Sequence, residues 1–130
     1  MLRLFLTTLV AMTLVAGCAQ SGGAPSGDGA DDGQSIDRKF DLAPQGLREF
    51  NLDMAAGAAF TFSYTSSANV QWEIHSHDGS KSTTWTQGQG AAGGNTFTAT
   101  AANTYSLAFT NAGQDFAVVD VSIHGDFTEA

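Results

Sequence analysis

His75 and His77 are the side chains in this 130-residue sequence whose type and spacing come nearest to a reactive site. Residues i and i+2 of an extended strand point to the same face, so the two imidazoles share one surface. Glu73 lies in the same phase and Asp78 follows in sequence. His124 belongs to the outward phase of the last strand-like run. Imidazole suits both Cu(II) and Zn(II), so His75, His77, His124 and Asp78 are a candidate metal-binding set. The plainer reading makes His75 a surface strand residue and His77-Asp78-Gly79 a hairpin turn. It is preferred, because two histidines without a defined third ligand are a weak pattern.

Catalytic patterns are sparser. Ser76 lies between the two histidines, but strand neighbours point to opposite faces, so it makes a poor nucleophile–base pair with His75. No Gly-x-Ser-x-Gly elbow is present to support a triad with His124 and Asp120. Glu49, Glu73 and Glu129 have no context that marks a glycosidase pair. Gly88-Gln89-Gly90-Ala91-Ala92-Gly93 matches a dinucleotide fingerprint letter by letter. The strand-like Thr96-Phe97-Thr98 follows it, not a helix, so it reads as a flexible hairpin loop. Asp28-Gly29-Ala30-Asp31-Asp32-Gly33 resembles a calcium loop only at its start; Ala30 and Lys39 occupy positions that need ligands. Trp85, set among Ser82, Thr83, Thr84, Thr86 and Gln87, is a candidate stacking residue for a carbohydrate. Its plainer role is to plug one end of a small core.

The elements that must position these residues are strands. Apolar and polar residues alternate with period two: Phe50/Leu52/Met54, Phe60/Phe62/Tyr64, Val70/Trp72/Ile74, Phe97/Ala99, Tyr105/Leu107/Phe109 and Val119/Val121/Ile123. Phe116 and Val118 stand in the opposite phase to the last run, which predicts a register change near Val118. Turn signals separate the runs at residues 55–57, 66–68, 77–79, 88–94, 102–103 and 111–113. The expected fold is all-β: a small antiparallel β-sandwich of about seven to eight strands over residues 40–130.

The chain before that domain has a different character. Residues 4–16 are apolar except for three threonines, and Arg3 is the one charge of the segment. This run is shorter than the ~20 residues a membrane-spanning helix needs, and it ends in small residues as a signal peptide does. Leu14-Val15-Ala16-Gly17-Cys18 resembles the lipobox of bacterial lipoproteins. The resemblance implies a signal peptide over 1–17, cleavage after Gly17, and acylation of Cys18 with palmitate-type chains. Such a protein is held in the cell envelope by its lipid anchor. In a host with two membranes, Ala19 fits sorting to the outer membrane, facing the periplasm or the cell surface. Residues 18–39, rich in Gly, Ser, Ala and Asp, then read as a flexible acidic tether.

A second resemblance concerns the domain. Residues Val70 to Gly79, Phe97, Asn103 to Asn111 and Val119 to Ile123 are similar in order to bacterial jelly-roll domains of the Golgi-dynamics (GOLD) type. Asn103 stands where such domains usually carry glycine. The resemblance implies a GOLD-like, non-catalytic module that binds a protein or another envelope component.

Composition narrows the function classes further. Five Lys and Arg against 13 Asp and Glu give a formal net charge of −8, which disfavours nucleic acid and anionic membrane surfaces as electrostatic partners. With a single cysteine, no internal disulfide and no Cys-based zinc site can form. The sequence therefore favours an anchored, non-enzymatic interaction module with no required cofactor. A Cu- or Zn-binding lipoprotein is the alternative, and a carbohydrate-binding module using Trp85 comes third.

Overall fold

A computed structural model describes residues 33–130. They form seven strands and no helix: β1 (Gln34–Leu42), β2 (Leu47–Met54), β3 (Ala59–Asp78), β4 (Lys81–Thr98), β5 (Asn103–Thr110), β6 (Ala117–Gly125) and β7 (Thr128–Glu129). All pairings are antiparallel. The described residues are all-β, as their period-two patterning requires.

The unusual elements are β3 and β4, of 20 and 18 residues. They pair with each other along nearly their whole length, and each serves two layers. Residues 60–66 of β3 pair with β6, which pairs with β1. Residues 71–76 of β3 pair with β5, which pairs with β2. The β3–β4 hairpin thus folds across both layers. Counting its four half-strands separately gives eight segments beside the two-residue β7 at the edge of β2, ordered β1-β6-β3-β4 in one layer and β2-β5-β3-β4 in the other. That is the order of a jelly roll, a double-layered way of managing sheet edges.

The register shifts between Thr65 and Val70, where the hairpin turns from one layer to the other. The glycine-rich run is the other wall of that corner, not a loop. Gly90 has φ of 148°, a value side-chain-bearing residues rarely adopt, and its carbonyl accepts a hydrogen bond of 3.0 Å from Tyr64 Oη. Ser66-Ser67-Ala68 likewise lies within β3 and does not break it.

Aromatic rings fill the space between the layers. Phe109 of β5 meets Phe40 at 6.0 Å, Phe62 at 6.2 Å and Tyr64 at 5.3 Å between centroids. Phe62 meets Trp72 edge-on at 4.9 Å. Such offset and edge-to-face pairs add to what simple burial contributes. Among the described residues the buried apolar side chains run from Ile36 to Phe127, so this unit carries its own core.

Two further expectations are corrected. The first strand starts at Gln34, inside the stretch read as tether, because Ile36 is buried in phase with Phe40 and Leu42 while the charged Asp37, Arg38 and Lys39 disguise the pattern. The register of β6 runs unbroken from Ala117 to Gly125 against β1. Ala117, Val119, Val121 and Ile123 point inward, and Phe116 and Val118 are simply exposed, Phe116 by 66%. Cys18, Gly17 and the signal segment lie outside the described residues.

Candidate functional site

Antiparallel partners place their side chains on the same face, so the register assigns the outer face of the β2-β5-β3-β4 layer row by row. One row reads Gln89, Gln71, Thr110 and Leu47 across β4, β3, β5 and β2. The next reads Gln87, Glu73, Ala108 and Glu49, and the third Thr84, His75, Ser106 and Asn51. Gln89, Gln71 and Thr110 of the first row and Gln87, Glu73 and Ala108 of the second border an open depression of about 370 Å³, with Trp72 and Gly88 also lining it. Ala108 is its low point: it faces outward, is buried by its neighbours, and its methyl group leaves space between the longer side chains.

His75 occupies the third row and is itself buried, with 8% of its side chain accessible. Its Nδ1 lies 2.9 Å from Glu73 Oε2 and its Nε2 lies 3.6 Å from Glu49 Oε2. The Nδ1 makes no hydrogen bond among the described residues, because the contact with Glu73 is close without being aligned. Each ring nitrogen therefore faces a different carboxylate. Two carboxylates on opposite sides of one imidazole cannot converge on a single ion bound to one of its nitrogens. Ser106 donates to Asn51 Oδ1 at 2.6 Å beside the ring.

Of the other predicted ligands, the structure keeps His77 beside His75 and separates Asp78 and His124 from them. His77 packs edge-on against His75 at 5.0 Å between centroids. Asp78 pairs with Lys81 at the hairpin turn. His124 pairs with Ser35 and Thr61 on the other layer, remote in the sheet from His75. Among the described residues no three His, Cys, Asp or Glu side chains gather where they could hold a metal ion. His75 was also expected at the surface. Its outward direction is as read, and its burial comes from Glu49, Glu73 and His77 closing over it.

Trp85 is the bulged residue where the β3–β4 register shifts between Ile74 and His75. The bulge turns its ring toward the inner side, where it lies 6.2 Å from both Phe97 and Tyr105. Its Nε1 donates to Ser76 Oγ at 2.9 Å. Trp85 is 42% exposed, but it covers the end of the core and does not line the depression.

Sequence reading missed Gln71, Gln87, Gln89 and Ala108. Neutral amides carry no motif, and nothing local reveals that β3 and β4 are continuous and therefore bring these residues side by side. The chain matches no family model, and no curated protein is similar to it.

Proposed function

We propose that the protein is a lipid-anchored, non-catalytic binding module of the cell envelope, tethered through Cys18, whose ligand contacts the outer face of the β2-β5-β3-β4 layer. The observation that carries this reading is the depression bordered by Gln71, Gln87, Gln89 and Glu73. Gln71 and Glu73 project from β3, which is paired on both sides, and Gln87 and Gln89 from its partner β4; ligand sites characteristically place a few convergent polar groups on a rigid scaffold. The lipobox-like Leu14-Val15-Ala16-Gly17-Cys18 supports the anchor. The similarity to GOLD-type domains, which bind without catalysis, points the same way.

Anchoring is tested by labelled palmitate: the wild-type chain takes up label and sediments with membranes, and Cys18→Ala does neither. Equal labelling of the two removes the anchor. Binding is tested by capture from envelope extract, with wild type and the double variant Gln71→Ala/Gln89→Ala as baits. Both positions are exposed, so the fold tolerates the change. The double variant loses at least one component that wild type retains; identical captured sets remove the binding face.

A further inference from the structure

We propose that the depression between Gln71, Gln87 and Gln89 is a saccharide site that takes a neutral, polyhydroxylated chain. This names the ligand class of the module proposed above and rests on that reading.

The lining selects by exclusion first. No Lys or Arg borders the depression, Glu73 does, and the whole chain carries −8. A phosphate, sulfate or acidic glycan would meet a negative field with no counter-charge. A cation would find one carboxylate, Glu73, already facing the His75 ring. An extended peptide would pair along the outer edge of β4, which bonds to β3 alone, and so would lie beside the sheet face and not over Gln71, Glu73 and Ala108 of the doubly paired β3 and β5.

What remains is a neutral ligand rich in both donors and acceptors. Each glutamine amide offers two N–H donors and one carbonyl acceptor. One amide can therefore engage a pair of adjacent hydroxyls, each of which donates and accepts. Gln71 and Gln89 are direct cross-strand partners, and Gln87 is the partner of Glu73. Two rows of paired polar side chains thus run side by side, spaced about 6–7 Å apart along the strands by the two-residue repeat. A chain of hydroxyl-bearing rings can follow that array. Between the polar groups, the Ala108 methyl supplies an apolar spot for ring C–H groups. The volume, about 370 Å³, lies in the range of small-ligand sites.

Trp72 supplies a readout. The chain holds two tryptophans, so Trp85→Phe leaves Trp72 as the sole indole, in the core directly behind Gly88, which lines the depression. The chain from Ala19 onward, which includes the complete core, is titrated with maltohexaose, cellohexaose, xylohexaose and chitohexaose, and with heparin as the anionic probe. Calorimetry and Trp72 fluorescence are followed together. At least one neutral hexasaccharide binds saturably, and Gln71→Ala/Gln89→Ala weakens it tenfold or more with the melting temperature unchanged. Heparin neither binds nor competes. The saccharide proposal is overturned if no neutral probe saturates at millimolar concentration, if the double variant binds equally well, or if heparin competes. If the saccharides fail while the envelope component captured by wild type is still lost from the double variant, the binding module stands and only its ligand class is wrong. If both fail, the module reading falls as well.

Discussion

Gly88 and Trp72 face each other in the β3–β4 pair, and a Cβ on Gly88 would lie 2.7 Å from Cε2 and Cζ2 of the Trp72 indole. No side chain fits at that distance. The glycine that looked like half of a nucleotide-binding fingerprint is there because an indole lies against the strand. Gly88→Ala must push Trp72 out of its edge-on contact with Phe62. The expected loss is about 1–3 kcal/mol, the usual scale of overpacking, seen as a lower urea midpoint with unchanged slope. A variant as stable as wild type would show that the indole can move freely.

The imidazole of His75 separates two carboxylates. Removing it with His75→Ala leaves Glu49 and Glu73 on either side of a gap, with neither opposed by the ring. Both glutamates are partly exposed, so solvent screens much of their interaction. The expected destabilisation is about 1–2 kcal/mol, most of it lost packing of a buried ring. Glu73→Gln in the His75→Ala background relieves the remaining repulsion. A double-mutant cycle in urea therefore gives a non-zero coupling between positions 73 and 75. Strict additivity would mean that the two groups do not interact.

Tyr64 makes stability sensitive to high pH. Burial pushes its phenol above the ordinary value of 10.0. The folded chain thus holds this proton more tightly than the unfolded chain does. The contribution is fully present below the unfolded value and is lost as pH rises through the folded one. Unfolding free energy measured from pH 8 to 12 falls in the alkaline arm for wild type and falls less for Tyr64→Phe. At neutral pH the same variant is less stable by about 0.5–1.5 kcal/mol, because the hydrogen bond to the Gly90 carbonyl is gone. Parallel alkaline arms for the two proteins would exclude Tyr64 as their source.

The legible part of the fold was the part written in side-chain alternation. Phe60, Phe62 and Tyr64 are buried in phase, as are Val70, Trp72 and Ile74. Continuity was harder to see. Ser66 to Ala68 and Gly88 to Gly94 have turn composition, yet both belong to a strand corner, where small residues let the backbone bend around Tyr64. Site residues were less legible still. His75 and Trp85 stood out by type, but the register gives one a structural place between carboxylates and the other a place over Phe97 and Tyr105. Gln71 and Gln89 stood out by nothing. They meet only because β3 and β4 pair, bringing together residues 18 apart in sequence, a relation no local pattern encodes.

Asn111 ties the β5–β6 connection to the end of β1. It is fully buried. Its Nδ2 donates to the Leu42 carbonyl at 3.0 Å and to the Asp115 carbonyl at 2.7 Å, and its Oδ1 accepts from the Gly113 N–H at 2.9 Å. Asn111→Ala strands these backbone groups, the Leu42 carbonyl in the interior among them. With about 1–3 kcal/mol for each buried group left unsatisfied, the expected loss is about 2–4 kcal/mol. Asn111→Asp is the sharper test. It keeps an acceptor for Gly113 but turns an oxygen toward the two carbonyls. At pH 7 it is therefore at least as damaging as alanine. Acidification restores part of the loss, since a protonated carboxyl can donate to one carbonyl. Urea midpoints at pH 7 and pH 4 measure both effects, each referred to wild type at the same pH. An aspartate variant equal to wild type at pH 7 would show that the two amide donors do not hold the connection.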